Sequence, residues 1–203
     1  MLMRPAKHVR QVRAARHARG VSMIEVLVAI LILTIGLLGV AGLQTQMQTA
    51  QLEAYQRSQA IVLLQDMVDR INANRRKVKD YVTTDPAGTS NTLDCTGTPP
   101  ATIAGKDLCT WSDLLLGAAE VTGGNKVGAM IGARGCITLP VTAMPRQAIV
   151  AVVWQGVTPT LAPGATTCGQ NLYGDEKTRR AMIASVTIGC LQNDLTTGLC
   201  ITP

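Results

Sequence analysis

One carboxylate, Glu25, stands alone at the head of a long apolar stretch. It is followed by 18 residues, Val26 to Leu43, that contain no Lys, Arg, Asp or Glu, and residues 21–24 before it are also uncharged. This is about the length that an α-helix needs to cross the hydrocarbon core of a bilayer. A carboxylate in such a segment is costly unless another group neutralises it, so the sequence predicts that Glu25 is paired.

The residue types that usually perform catalysis are scarce beyond the first 20 residues. His8 and His17 are the only histidines, so residues 21–203 lack the commonest general base and metal ligand. Acidic residues show no paired-carboxylate pattern, and the glycine-rich residues 117–135 contain neither G-K-[ST] nor G-x-G-x-x-G. We therefore expect no enzymatic activity, no cofactor and no metal.

Six cysteines, all beyond the apolar stretch, form the second set of residues with a defined chemistry. An even number of cysteines in an exported domain is typical of a disulfide framework. None of the spacings is the C-x-x-C of redox or zinc sites. We expect the bonds to act as structural staples between residues of this set: Cys95, Cys109, Cys136, Cys168, Cys190 and Cys200.

The positive charge of the chain is concentrated at its start. The chain has 19 Lys and Arg against 13 Asp and Glu, and six of the basic residues, with no acid, lie in residues 1–20. Residues 21–203 therefore carry 13 basic and 13 acidic residues, and this neutral total argues against nucleic acid as a partner. A basic segment before an apolar helix stays on the cytoplasmic side of the membrane, so residues after Leu43 are expected outside the cytoplasm.

The order of the first segments differs from an ordinary secretory signal, whose apolar core precedes the cleavage site. Here the apolar core follows Gly20. Cleavage at Gly20 would remove residues 1–20 as a basic leader and leave the apolar segment on the mature chain. The alternative is that residues 1–20 are the cytoplasmic tail of a single-span protein.

Residues 21 to about 80 predict one long helix without proline. Residues 21–43 are apolar all round, whereas residues 44–80 are amphipathic, with apolar residues at helical spacing along one face. That face is predicted to contain Ala54, Ile61, Leu64, Val68 and Ile71.

Two features of this helix carry alternative interpretations. Gly36, Gly39 and Gly42 each cost a helix roughly 0.8–1 kcal/mol relative to Ala, so they predict a soft spot, a close helix contact or glycines merely tolerated in lipid. The basic cluster at residues 75–79 lies where the helix macrodipole favours positive charge. We expect a solvated helix end there, with a lipid or acidic-partner contact as the alternative.

The remaining residues, 81–203, predict a small extracytoplasmic domain stapled by disulfides. A loop at residues 83–105 is followed by a short helix at 107–119 and by three strands. The predicted fold is therefore α+β, with a long N-terminal helix, transmembrane in its first half, packed on an antiparallel sheet of three or four strands. The predicted strands are Cys136–Val141, Gln147–Val157 and Arg179–Cys190.

The predicted strand order suggests how the cysteines pair. In an antiparallel meander, Cys136 and Cys168 belong at the same end of the sheet. Cys190 belongs at the opposite end, near the segment that carries Cys200, and the other two cysteines flank one loop. We predict the bonds Cys95–Cys109, Cys136–Cys168 and Cys190–Cys200, one of 15 possible pairings.

The run Gly20-Val21-Ser22-Met23-Ile24-Glu25 resembles the processing signal of type IV prepilins. The resemblance implies that a prepilin peptidase cuts after Gly20 and methylates the new amine of Val21, which stands where the family usually has Phe. It also implies that Glu25 pairs with the terminal amine of a neighbouring subunit, which would set the register of assembly.

Residues 35–44 are similar to PilV-type minor pilins, since Gly42 stands where major pilins usually have a helix-kinking Pro. This resemblance implies a pilin fold and a role in initiating pilus assembly, with a final place near the tip. The implied partners are the peptidase and methyltransferase, other minor pilins, the major pilin and a tip adhesin. The inner membrane holds the chain before assembly. The alternatives are a type II secretion pseudopilin and a pilus-mounted binding module for surfaces or DNA.

Overall fold

The structure is a computed structural model of the 203-residue chain. It describes residues 20–90, 95, 100–118, 121–122, 125–126, 130–141 and 146–190. The chain divides after Gln46 into two compact units, which we describe separately. Helix α1, Met23–Ala73, begins in the first unit and ends in the second.

The end of α1 differs from the prediction, because the α-helix stops at Ala73 rather than near Asp80. Asn74 leaves the helical region of backbone dihedral space, with φ of −119° and ψ of 36°. A 3-10 helix follows from Arg75 to Tyr81, with a kink at Lys77, where φ is −108° and ψ is 28°. The predicted amphipathic segment 44–80 is therefore an α-helix followed by a tighter one.

Burial of two side chains explains this change of helix type. In a 3-10 helix, residues three apart lie above one another, which places Val78 and Tyr81 on the same side, and both are completely buried. The Tyr81 hydroxyl donates to Asp107 over 2.5 Å. Burial and the Asp107 carboxylate raise the pKa of Tyr81 to about 12, so this hydroxyl remains a donor at ordinary pH.

The face of α1 that packs in the second unit is also rotated from the predicted one. Leu64 and Ile71 are buried as predicted, but Ile61 is 46% exposed, whereas Ala60 and Met67 are fully buried. The predicted set mixed two neighbouring faces, because spacings of three, four and seven residues do not by themselves define which face meets the sheet.

Helix α2, Ile103–Leu115, starts and ends four residues earlier than the predicted helix 107–119. Thr102 caps it, since its hydroxyl accepts a hydrogen bond from the Gly105 amide over 3.1 Å. A Thr at this position satisfies an amide that has no partner within the helix.

The structure contains the strands β1 Ala87–Gly88, β2 Val121–Thr122, β3 Asn125–Lys126, β4 Arg134–Val141, β5 Arg146–Gln155 and β6 Arg179–Ile188. The main sheet has four antiparallel strands in the order β1-β4-β5-β6, and a separate pair, β2 and β3, is also antiparallel. The α+β prediction of a helix packed on a small antiparallel sheet is therefore confirmed. Strand β5 is rich in β-branched residues, which suit a pleated surface.

Both faces of β5 are buried, which explains its nearly continuous apolar sequence. Alternate residues point to opposite faces of a strand. Val150 and Val152 lie in the main core with residues of α1 and α2. Val153 lies in a second cluster with Cys168 and Tyr173 from the connection between β5 and β6.

A buried arginine, Arg179, organises that connection. Its side chain forms an ion pair with Glu176 over 2.7 Å. Its guanidinium also donates to three backbone carbonyls at 3.0–3.1 Å. Because the charge is both paired and hydrogen-bonded, its burial is tolerated. The three carbonyls belong to Pro163, Thr166 and Cys168.

Candidate processing and assembly site

The site predicted at Gly20–Glu25 lies where α1 begins in the first unit. Gly20, Val21 and Ser22 are exposed and non-helical, and α1 starts at Met23. The peptide bond between Gly20 and Val21 is therefore in irregular backbone just before a helix. A Cβ placed on Gly20 would meet no described atom within 4 Å, so nothing in the described part of the chain covers this bond.

Ser22 is the N-cap of α1. Its hydroxyl accepts a hydrogen bond from the Glu25 amide over 3.3 Å, and its carbonyl oxygen accepts from the amides of Glu25 at 3.1 Å and Val26 at 3.4 Å. A capping side chain of this kind satisfies one of the unpartnered amides at a helix start.

Sequence reasoning missed this cap, although the sequence contains its signal. Ser22-x-x-Glu25 is the S-x-x-E pattern of a capping box, and we considered Glu25 only as a charge in an apolar run. As the third residue of α1, Glu25 also lies where the helix macrodipole favours a negative charge.

The apolar half of α1 exposes its entire surface. The 18-residue window of highest hydropathy has a mean value of 2.8, and none of it is buried. Fifteen large apolar side chains between Val21 and Leu43 are at least 46% exposed. At roughly 1.5 kcal/mol for each one removed from water, covering them is worth on the order of 20 kcal/mol. The segment therefore requires lipid or other protein chains around it.

The three predicted soft-spot glycines lie inside an unbroken part of α1. A Cβ on Gly36, Gly39 or Gly42 would meet no described atom within 4 Å, so packing within the chain does not require glycine there. Two hydroxyls flank the set and bond back to helix carbonyls: Thr34 to Leu31 over 2.8 Å and Thr45 to Ala41 over 3.2 Å. Such bonds weaken and bend helices slightly, but the soft spot itself stays a prediction.

Two of the predicted disulfide pairings are present. Cys95 and Cys109 are bonded with their Cα atoms 5.6 Å apart, and Cys136 and Cys168 with theirs 5.9 Å apart. The second bond ties β4 to the connection that follows β5. Cys190 is also disulfide-bonded, but its predicted partner Cys200 lies outside the described residues, so that pairing stays a prediction.

A second set of contacts that the sequence did not predict holds α1 in the second unit. Glu53 Oε1 accepts hydrogen bonds from the Val157 amide, the Thr158 amide and hydroxyl, and the Arg180 guanidinium, all at 3.0–3.1 Å. Partial burial opposes ionisation of this carboxyl, but the bonds from Thr158 and Arg180 outweigh it and lower the pKa of Glu53. With Glu53, the four groups form a structural clamp that joins α1 to β6 and to the segment just after β5.

The described residues offer little to catalysis or metal binding. A cavity of about 520 Å³ lies between β4, β5 and the β5–β6 connection, and its described lining contains no charged side chain or histidine. Over the same described ranges, no group of three or more His, Cys, Asp or Glu is placed to hold a metal ion.

The structure thus defines a class of protein. It is an α+β domain that includes the second half of a long helix. The first half of that helix is apolar and exposed, and it begins at a capped turn just after a basic segment. Comparison with known families agrees with this class. Residues 15–41 match the prokaryotic N-terminal methylation motif, and residues 42–115 match the family described as type IV pilin Tt1218. The searches of curated proteins and of solved structures found no match to this chain.

The two matched ranges adjoin and run from residue 15 to residue 115, and together they support a type IV prepilin-family protein. The family is structural rather than enzymatic. The methylation motif implies processing by a prepilin peptidase and assembly with other pilins. The apolar N-terminal helix fits a pilin anchored in the inner membrane.

Proposed function

We propose that this pilin is a minor pilin of the PilV type that helps to initiate the type IV pilus and enters the filament near its tip. The observation that supports the proposal best is the exposed apolar surface of residues 21–43, which carries a single carboxylate five residues after Gly20. Such a surface suits two successive environments, first lipid and then the helices of other pilins.

In the proposed membrane state, residues 1–20 face the cytoplasm and residues after Leu43 face the periplasm. The leader carries six basic residues and no acid, which favours this orientation. A peptidase on the cytoplasmic side then removes the leader after Gly20 and methylates Val21. The exposed, non-helical backbone at this bond is compatible with entry into a peptidase.

In the proposed filament, Glu25 pairs with the methylated amine of a neighbouring subunit. An unpaired carboxylate surrounded by apolar helices costs several kcal/mol, and pairing with an amine at the start of another helix removes that cost. Since only one axial offset brings the two groups together, the pair would set the register of the subunit among other minor pilins, the major pilin and a tip adhesin.

Mass spectrometry of the protein from its native host tests the processing step. We expect a chain that starts at a methylated Val21, and substitution Gly20→Arg should block the cut. An intact Met1 or a cut elsewhere would contradict the proposal.

Incorporation is tested with Glu25→Ala and the charge-neutral isostere Glu25→Gln. Both should be cleaved normally yet be depleted from sheared pili, whereas the control Thr34→Ala, in the same apolar half, should be incorporated.

Loss of piliation and twitching motility in a deletion strain would support a pilus role. Normal piliation together with a defect in type II secretion would instead identify a pseudopilin.

A further inference from the structure

The sheet face opposite α1 carries a cavity that the processing and assembly site does not use. In the main sheet, Cys136 pairs with Ala151 and Thr138 pairs with Ile149. Ala151 belongs to the second apolar cluster, apart from the core that contains α1, and side chains two apart along a strand share a face. These four residues therefore form one floor, and all four line the cavity of about 520 Å³.

One wall of the cavity comes from the segment before β1, where Thr83, Thr84 and Pro86 belong to the lining. The Thr83 amide donates to the Ile137 carbonyl over 3.0 Å, and the Thr83 hydroxyl accepts from the Ile137 amide over 2.9 Å. Asp85 lies in the same segment but does not line the cavity. The two bonds with Ile137 tie this wall to β4.

The other wall is residues 164–170 of the β5–β6 connection. The disulfide between Cys168 and Cys136 attaches this wall to β4. The buried Arg179 guanidinium donates to the carbonyl oxygens of Thr166 and Cys168 at 3.0 and 3.1 Å. A wall held in this way needs little further ordering when a ligand binds, which lowers the cost of binding.

Four polar side chains of the lining have hydrogen-bonding capacity to spare. They are exposed, and none of them bonds to another group in the part of the chain that the structure describes. The hydroxyls and the amide among them can both donate and accept. Together with the apolar groups of the floor they give the mixed lining that is typical of ligand pockets. The four side chains are those of Thr84, Thr138, Thr167 and Gln170.

The chemistry of the lining selects against several classes of ligand. Its described residues include no charged side chain and no aromatic ring. A charged ligand would therefore lose its hydration without gaining a partner, and a nucleobase would have no ring to stack on. A peptide backbone offers uncharged N–H donors and C=O acceptors in alternation, which match side chains that both donate and accept.

We propose that the cavity binds an uncharged peptide segment of another protein, in extended form, with one aliphatic side chain over Ile149 and Ala151. The free hydroxyls and the Gln170 amide bond to the backbone of this segment. The segment must be extended, because a helix uses its backbone groups internally. The cavity volume of about 520 Å³ lies within the range of roughly 300–1,000 Å³ seen for ligand pockets. The proposal does not depend on the pilin function proposed above.

The test uses the full chain in nonionic detergent and compares two tryptophan substitutions. Thr138 and Thr187 are both exposed, and they share a face of the sheet, since Thr187 pairs with Gln147, two residues before Ile149. Of these two threonines only Thr138 lines the cavity. Thr138→Trp therefore fills the cavity, and Thr187→Trp is the matched control.

The probes are short peptides, acetylated and amidated at their ends, with one central Leu among Gly and Ser residues. A second and a third set carry Lys or Asp in place of the Leu. Lactose serves as a neutral, hydroxyl-rich probe without an aliphatic side chain. Saturation-transfer NMR measures binding, and detergent without protein gives the background.

We expect the Leu peptides to bind the parent and Thr187→Trp alike and not to bind Thr138→Trp. Substitution Thr167→Val keeps the shape of the side chain but removes its hydroxyl. It should weaken binding about fivefold, as the loss of one hydrogen bond does, whereas Thr187→Val should not. The Lys and Asp peptides should bind the parent more weakly than the Leu peptides do.

Absence of peptide binding by the parent would overturn the proposal, as would equal binding by the two tryptophan variants. Lys or Asp peptides that bind as tightly as the Leu peptides would contradict the selection for an uncharged segment. Lactose binding that Thr138→Trp abolishes, without peptide binding, would assign the cavity to a different class of ligand. If Thr138→Trp fails to fold, the comparison of Thr167→Val with Thr187→Val decides.

Discussion

The indole of Trp111 lies directly against the backbone of Gly135. A Cβ placed on Gly135 would come within 2.1 Å of the ring, so no residue other than glycine fits at this point of β4. The ring is fully buried, and its Nε1 donates to the Leu63 carbonyl of α1 over 2.8 Å. One side chain on α2 thus joins the long helix to the sheet.

Substitution Gly135→Ala should therefore destabilise the folded domain. Overpacking of this kind typically costs about 1–3 kcal/mol, because either the ring of Trp111 or strand β4 must move. Urea unfolding of the full chain in detergent, followed by tryptophan fluorescence, measures the loss. The matched control is Gly164→Ala, since a Cβ there meets nothing within 4 Å. Equal midpoints for the two variants would show that the contact is not tight.

The helix and the strands could be predicted because their signals are local. The apolar stretch indicates a helix by its length, the amphipathic stretch by its helical periodicity, and β5 is indicated by its continuous β-branched run. The Cys136–Cys168 pairing followed from strand order, and the Cys95–Cys109 pairing followed from the position of the two cysteines on either side of one loop. These features depend on residues that are neighbours in sequence or on the simplest sheet topology.

Other features could not be predicted because they depend on distant partners. The 3-10 helix that follows α1 ends at Tyr81, whose hydroxyl donates to Asp107, 26 residues away in sequence. Glu53 contacts Thr158 and Arg180 across 105 and 127 residues. No periodic pattern marks such pairs, and a lone Glu on an amphipathic helix is usually solvated. The Ser22 cap is different, since its pattern is local and was available in the sequence.

The Glu53 clamp should make stability depend on pH in the acid range. Because the folded-state pKa of Glu53 is lowered, the clamp stabilises the fold fully above the ordinary pKa of a Glu, about 4.3, and loses this contribution as pH falls through the lower folded value. The difference in unfolding free energy between the parent and Glu53→Gln should therefore be constant from about pH 7 to 5 and shrink below about pH 4.3.

The control for this measurement is Asp80→Asn, which removes an exposed carboxyl on the 3-10 helix. The difference in unfolding free energy between the parent and Asp80→Asn should not show the pH dependence expected for Glu53→Gln. A stability difference for Glu53→Gln that grows as the pH is lowered would contradict the assignment of the clamp to the ionised form.

The two described disulfides should differ in their contribution to stability. Cys136–Cys168 spans 32 residues and Cys95–Cys109 spans 14. On the chain-entropy estimate they restrict the unfolded chain by about 3.7 and about 3.0 kcal/mol, respectively. Cys136→Ser/Cys168→Ser should thus have the lower urea midpoint. The comparison isolates loop length best if both double variants keep the native near-ultraviolet circular dichroism, and a reversed order of midpoints would refute it.

The Ser22 hydroxyl should hold the first turn of α1 in place. Substitution Ser22→Ala removes the hydroxyl, one of the two Ser22 oxygens that accept from the Glu25 amide. It should cost the first turn about 1 kcal/mol, which corresponds to about fivefold faster hydrogen exchange at Glu25. Ser22→Thr keeps the acceptor and should retain slow exchange. Thr34→Ala, which removes a hydroxyl bonded within the same half of the helix, should leave the Glu25 amide unchanged. If Ser22→Ala and Thr34→Ala exchanged alike at Glu25, the cap would not be what fixes the position of this carboxylate at the helix start.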